Sequence, residues 1–315
     1  MQSLIGELFF KAFDNPLLSQ GHDSASLDLP LGKIAFTTDS YVVKPLFFPG
    51  GDIGSLAVHG TVNDLAVCGA RPLYVSAAFI IEEGLEMETL WKIALSMGKA
   101  AEACSVRIAT GDTKVVDKGK GDGLFINTAG IGVIEHPVPI SPKQIKPGDR
   151  VIVSGDIGRH GIAIMAVRSG IDFETEIKSD SASIAPEAMA LVSGGVQIKC
   201  MRDVTRGGLA SVLNELAVSA EVSIEIDESA IPVREDVSAA CELLGFDPLY
   251  VACEGRFVAV VHPDSTNLAL QILGPKSRCI GEVQSQGEVA VWLKSCLGTR
   301  RVLALLSGEQ LPRIC

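Results

Sequence analysis

The sequence predicts an α/β (α+β) protein of two domains, each a mixed sheet with helices. Three observations carry that prediction. Strand-like apolar runs alternate with helical periodicities in both halves of the chain. A Pro- and Gly-marked stretch, Val138–Asp149 with Pro139, Pro142, Pro147 and Gly148, separates the halves, as domain boundaries do. The chain has 315 residues, 47% of them hydrophobic, enough for two cores. The expected division is an N-terminal domain over 1–140, a C-terminal domain over 141–306 and a mobile tail over 307–315.

Apolar Leu4, Ile5, Leu8, Phe9 and Phe13 mark a short amphipathic helix over Met1–Phe13, and loop signals follow from Asn15 to Gly32. Lys33–Thr38 reads as a strand that delivers Asp39 and Ser40 at its end. A rigid loop, Lys44–Asp52, leads into a helix from about Ile53. That helix is apolar on most sides through Leu56, Val58, Val62, Leu65 and Ala66, so burial is expected. It carries Asn63-Asp64, an amide and a carboxylate where a core helix would prefer neither, and it ends at Gly69 and Pro72. Leu73–Ile81 is an apolar strand. Glu86–Cys104 has Met87, Leu90, Ala94, Met97 and Ala101 at helical spacing. A short strand, Arg107–Thr110, runs into Gly111-Asp112-Thr113-Lys114, and Leu124–Val133 is another strand.

The second half opens with strand Arg150–Ser154, and helices follow around Ile162–Arg168 and Pro186–Ser193. Thr205 is placed to cap a helix running to Ala220. Strand Val222–Ile226 and helix Glu235–Leu244 come next. Cys253-Glu254-Gly255 precedes strand Arg256–Val261. A helix over Ser265–Leu273 and short strands near Ile280, Val289 and Val302 close the pattern.

Composition excludes several function classes. A net charge of -11, from 38 acidic and 27 basic residues with no basic tract, repels phosphate backbones, so nucleic acid is not an expected partner. None of the 8 Cys lies in a CxxC pair, which removes the zinc-ribbon and thiol-redox spacings. No signal peptide follows Met1 and no apolar run reaches spanning length, so the expected home is the reducing cytoplasm, away from the membrane. There is no GxxxxGK[ST] and no GxGxxG, so a nucleotide would need another architecture. His59 and His160 have no partner at metal-ligand spacing and read as structural or surface residues.

The chemistry gathers at element ends and at the last residue. Asp39, Asn63-Asp64, Asp112 with Lys114, and Glu254 are polar clusters suited to holding Mg²⁺ together with phosphate oxygens. Lys114 can neutralise phosphate charge. Taken singly, each residue reads first as a cap, a turn or a solvated charge. The chain ends Leu311-Pro312-Arg313-Ile314-Cys315, a thiol on one tether. Pro312 stiffens it and Ser307, Gly308 and Glu309 form a flexible lead-in. The thiol's own α-carboxylate raises its pKa slightly, so a neighbour must activate it. The plain alternative is a frayed terminus.

Together Asp39-Ser40, Asn63-Asp64, Gly111-Asp112-Thr113-Lys114, Arg202-Asp203-Val204-Thr205-Arg206-Gly207-Gly208 and Glu254-Gly255 resemble the ATP-binding superfamily of aminoimidazole ribonucleotide synthetase and selenophosphate synthetase. With the terminal Pro312-Arg313-Ile314-Cys315, the chain is similar along its whole length to the carbamoyl dehydratases of hydrogenase maturation. That resemblance implies ATP-dependent dehydration of an S-carboxamide on Cys315 to a thiocyanate, the source of cyanide ligands for [NiFe]-hydrogenase. It implies Mg²⁺ on Asp39, Asp64 and Asp112, ATP near Asn63, Asp64, Asp112 and Thr113, Lys114 facing the transferring phosphoryl group or the carboxamide, and Glu254 as base. It implies a homodimer formed by the N-terminal domains with ATP near the interface, the carbamoyltransferase HypF upstream and the iron-carrying scaffold HypC–HypD downstream. Family members begin with a Gly-rich His-Gly-x-Gly-Gly segment; here Met1 leads straight into the first helix, and the expectation is a trimmed chain that falls short of full ATPase activity. The rivals are a selenophosphate or aminoimidazole ribonucleotide synthetase, which need no terminal Cys, and a non-catalytic carrier or scaffold whose Cys315 only ferries a group.

Overall fold

The alternation of side chains along a strand fixes which residues share a face, and the pairing registers here sort the sequence into two faces and two halves. The structure, a computed structural model, describes residues 8–14, 16–18, 24–30, 32–170, 176–284, 289–305 and 314–315. Residues 1–7 of the expected first helix and 307–313 of the expected tail lie outside the described residues; Phe10–Phe13 is helical.

The N-terminal half contributes strands β1 (Lys33–Tyr41), β2 (Phe47–Phe48), β3 (Gly51–Asp52), β4 (Ala70–Glu82), β5 (Arg107–Val116) and β6 (Leu124–Ile134). Among the described residues β1, β6, β4 and β5 form a four-stranded sheet in that order, with only β4 and β5 parallel. That parallel pair requires a crossover, which the Met87–Ala103 helix supplies. The register Asp39↔Thr128↔Ala77↔Gly111 runs along the inner face, and Ser40↔Asn127↔Ala78↔Asp112 along the outer one. Helix Ile53–Val67 covers the inner face. Its start is set by Asp52, whose carboxylate accepts from the Gly54 and Ser55 amides while Ser55 closes the reciprocal capping box. Ile53, Leu56, Ala57, Val58, Val62, Leu65 and Ala66 are buried, so the all-round apolar pattern gave a core helix, as expected.

Among the described residues the C-terminal half forms a seven-stranded mixed sheet, β13-β12-β9-β11-β7-β10-β8. Its strands are β7 (Arg150–Val153), β8 (Ile198–Asp203), β9 (Ser223–Asp227), β10 (Phe257–Val261), β11 (Arg278–Gln284), β12 (Val291–Lys294) and β13 (Arg300–Val302). Central β10 is buried throughout. Its Phe257, Ala259 and Val261 join a core that also contains the N-terminal half's Leu56, Val62 and Phe79, while Val258 and Val260 face a second core with Leu209, Leu213 and Leu216. One hydrophobic core therefore crosses the two halves, at about 1.5–3 kcal/mol for each fully buried large side chain, and holds their facing edges together. The α/β expectation stands. Strand β8 went unpredicted, because Ile198-Lys-Cys-Met-Arg-Asp203 mixes polar and apolar residues without clean alternation. The Gly208–Ala220 helix also differs from expectation. Its N-cap is Gly207 in the left-handed region at φ 75°, not Thr205, whose carbonyl instead accepts from the Gly208 amide at 2.9 Å. No helix of the described residues is long and apolar enough to cross a membrane.

Candidate active site

Where the inner face meets the C-terminal half lies a cleft of ≈ 1150 Å³, ample for a nucleotide-sized ligand. Each wall has a local cause. Strand β1 brings Thr37 and Asp39 on its inner face. The buried helix presents Asp64, whose carboxylate accepts from the Thr37 hydroxyl at 2.8 Å. Strand β8 ends in Asp203, and the turn after it carries Arg206 into the cleft. That turn depends on glycine: Gly208 has φ +62°, and a Cβ there would lie 2.7 Å from the Leu249 carbonyl oxygen. Glu254 enters just before β10. Its neighbour Gly255 lies so close to the Asp180 segment that a Cβ would meet the Asp180 carbonyl oxygen at 2.0 Å.

Asn63 turns away from Asp64 and joins the halves. Its amide nitrogen donates to the carbonyls of Ala182 (3.0 Å) and Glu254 (3.4 Å), and its oxygen accepts from the Ile184 amide at 2.8 Å. The Gly255 amide donates to Asp180 at 3.2 Å, and Arg256 donates to the Gly255 carbonyl at 2.7 Å and to Asp156. The Glu254 backbone is thereby fixed from both sides.

The last two residues lie in this cleft. Ile314 is buried in the shared core. The Val42 amide donates to an oxygen of the Cys315 α-carboxylate at 3.2 Å, and His160 Nε2 donates to the Ile314 carbonyl oxygen. Cys315 lines the cleft with Asp39, Asp64, Asp203, Arg206 and Glu254.

Carboxyl groups crowd here. Among the described residues, neither Oε1 of Glu254, which is 3% exposed, nor Oδ1 of buried Asp180 has a hydrogen-bond partner. Burial, and then Asp203, Asp180, Asp39 and Asp64, hold the Glu254 carboxyl well above the carboxylate range. Asp203 is pushed up to about 7 by burial and by Asp64, against the pull of Arg202. Asp64 is raised by burial, with the Thr37 hydroxyl opposing. Burial pushes the Cys315 thiol up to about 12, with Glu254 adding to it; Arg206, hydrogen-bonded to the sulfur, pulls the other way. The thiol's elevation thus comes chiefly from burial, where the sequence suggested its own carboxylate.

The sequence-predicted residues fall into two groups. Asp39, Asp64, Glu254 and Cys315 share the cleft. Asp112 and Lys114 stand on the outer face of edge strand β5, paired at 3.2 Å with side chains 63% and 70% exposed; Thr113, between them, is buried on the inner face. Ser40 and Asp112 are three strand spacings apart in one row, roughly 14 Å. One chain therefore does not gather Asp39, Asp64 and Asp112, and among the described residues no three His, Cys, Asp or Glu side chains form a metal-binding group. The donor chemistry of Asp39 and Asp64 nonetheless suits a hard cation: both offer only oxygens and neither makes an ion pair among the described residues. The sequence reading missed Asp180, Asp203, Arg206 and His160 as site residues. Gly207-Gly208 marked a tight backbone approach beside Arg206, but nothing in the pattern singled out His160, which is fully buried.

Comparison with known proteins settles the lineage. Residues 21–134 match the family model for the AIR synthase related protein N-terminal domain, and residues 146–294 that for its C-terminal domain. The carbamoyl dehydratase HypE of Bradyrhizobium diazoefficiens is 51% identical, over 100% of this chain and 93% of its own. That of Escherichia coli is 44% identical over 100% and 96%. This chain belongs to the HypE family of the AIR synthase superfamily. A crystal structure of a HypE in complex with ATP superposes with a TM-score of 0.96 at 46% identity, covering 100% of this chain and 96% of that one. A HypE–HypF complex gives 0.84 at 47% identity, covering 96% and 99%. Thiamine monophosphate kinase of Aquifex aeolicus, 18% identical with a TM-score of 0.66, shares the fold.

Proposed function

We propose that this HypE-family chain is an ATP-dependent carbamoyl dehydratase of hydrogenase maturation, acting on a carboxamide carried by Cys315. The observation that carries the reading is the placement of the Cys315 thiol in the acidic cleft with Glu254. Oxide is too poor a leaving group for an S-carboxamide to lose water unaided. When the carboxamide oxygen attacks the γ-phosphorus of ATP, ADP leaves and the C–O bond gains a phosphate leaving group. Both N–H protons then depart as the C–O bond breaks, giving S–C≡N, phosphate, ADP and one net proton.

Glu254 is the acceptor for the final N–H proton. Burial, and then its acidic neighbours, raise its affinity for a proton, and positive charge among those carboxyls would lower it. Asp39 and Asp64 would hold Mg²⁺, which when bound supplies positive charge to phosphate oxygens. Lys114 would face the transferring phosphoryl group and Asp112 the nucleotide, with Thr113 meeting it only through the backbone between them, since its side chain is buried on the opposite face. Asn63, with its amide engaged by the Ala182, Glu254 and Ile184 backbone, would serve the phosphates indirectly, by bracing the Asp64 helix against the Glu254 segment. Tethering on Cys315 gives the reacting group a high effective concentration and lets the same arm carry it away.

The Asp112–Lys114 pair joins the cleft through a homodimer. The outer sheet face displays Phe36 at 68% and Ile34 at 56% exposure, an apolar surface suited to a second copy. The N-terminal domain, 1–140, supplies this contact and most nucleotide groups; 141–306 supplies Glu254. HypF would load Cys315, as the complex of a HypE with HypF supports, and an iron-carrying HypC–HypD scaffold would receive the product, all in the cytoplasm. To test the reaction, Cys315 is carbamoylated, Mg-ATP is added and the protein is weighed. Loss of the mass of one water, abolished by Glu254→Gln, is expected. A loaded chain that consumes no ATP and keeps its mass would identify a carrier instead.

A further inference from the structure

The terminal dipeptide is held through its backbone by contacts separate from those its sulfur makes with Arg206, and His160 is the centre of that hold. The imidazole is fully buried. A carbonyl oxygen only accepts, so the bond to Ile314 O places the proton on Nε2. Burial keeps the ring neutral, so Nδ1 is bare and accepts from the Ser179 hydroxyl at 2.8 Å. Ser179 Oγ in turn accepts from the Ser181 amide at 3.0 Å, which leaves its own proton for His160. Phe48, from the N-terminal half, packs edge-to-face on the ring at 5.4 Å. The ring is therefore fixed in tautomer and tilt by groups from both halves. It meets the chain one residue before the thiol, and the Val42 amide meets it at the thiol's own residue.

We propose that His160 is a latch: by reading the Ile314 carbonyl it docks the chain end in register, so that whatever Cys315 carries faces Glu254, and its release is the step that exposes Cys315 for loading and delivery. This rests on the reaction assigned above, but the latch itself is a property of the unloaded chain. Docking satisfies the imidazole N–H and the Ile314 carbonyl together and buries the Ile314 side chain. Undocking exposes all three to water, where the polar groups find new partners. The balance is therefore modest and reversible, and one hydrogen bond shifts it about tenfold. Among the described residues His160 bonds neither the thiol nor Glu254; it is a positioning residue.

The test uses the full-length protein. His160→Phe keeps the ring against Phe48 and removes the donor, whereas His160→Gln keeps a donor toward Ile314 and an acceptor toward Ser179. Two rates are measured: alkylation of Cys315 by iodoacetamide, read by mass spectrometry on the peptide released by cleavage after Glu309, and single-turnover water loss from carbamoylated Cys315 with ATP. His160→Phe is expected to alkylate about tenfold faster and to dehydrate about tenfold slower at unchanged ATP affinity, with His160→Gln near wild type. A His160→Phe protein that melts like wild type and alkylates at the wild-type rate overturns the latch. So does a His160→Gln protein as impaired as His160→Phe. If wild-type protein fails to lose water, the assigned reaction falls, and alkylation alone decides the latch.

Discussion

The inner and outer faces of the four-stranded sheet are made from the same strands and carry opposite electrostatic characters. On the inner side, Asp64, Asp203 and Glu254 are shielded from water and raised by burial and by one another. On the outer side, Asp112 is held below the usual carboxylate range by the Thr113 amide and by Lys114, in full contact with solvent. One face gathers an excess of acid around a thiol, only partly offset by Arg202 and Arg206; the other presents a neutralised ion pair beside exposed Phe36 and Ile34. An exposed Asp–Lys pair contributes little to stability, so the outer pair is maintained at little structural cost and is free to serve a ligand. The inner acids do the reverse. They weaken the fold in proportion to their charge, which is the signature of groups kept for chemistry.

That contrast is easiest to break by mutation. Lys114→Ala should lower ATP turnover by about 100-fold while leaving the melting temperature unchanged, because the side chain is 70% exposed. Asp64→Asn should lower turnover comparably and leave the fold at least as stable, since it removes a raised carboxyl. Equal losses of turnover and melting temperature would make both residues structural and erase the distinction between the faces.

A smaller effect sharpens it. Burial, and then Asp64, push the Asp203 carboxyl up to about 7 in the folded protein, from its ordinary 3.8. Between those values the folded protein binds more protons than the unfolded one, so stability falls as pH rises through that window and is level above it. The wild type should therefore melt lower at pH 8 than at pH 5.5, by an amount on the order of a few kcal/mol in stability. Asp203→Asn should flatten part of that slope, with Glu254 and Asp64 keeping the remainder. An unaltered slope would mean Asp203 is solvated in the folded protein.

How much of this the sequence showed depends on the range of the interaction. The Ile53–Val67 helix and the β4–helix–β5 crossover were legible because their apolar periodicity is local. Asp39, Asp64, Glu254 and Cys315 were legible as chemistry-bearing residues, and the resemblance of their motifs joined them. Parity was not: Asp112 and Asp39 look alike at strand ends, and only the register across β6 and β4 puts them on opposite faces. Asn63 read as a polar intruder in a core helix; its three bonds to loops more than a hundred residues away explain it. His160 read only as a structural or surface residue, because its partners, Ser179 and Ile314, come from distant segments. Thr205 misled, because a good capping residue was overridden by the left-handed glycine two positions later.

The central claim is that the two faces are halves of one site, contributed by two chains. The most direct measurement mixes Asp64→Asn and Lys114→Ala chains, each inactive alone, and follows ATP turnover after subunit exchange. Random pairing should restore about a quarter of the wild-type rate, because half the dimers are mixed and each holds one intact site. A mixture as inactive as its parents, with exchange verified, would contradict the account and place both groups in the service of a single chain.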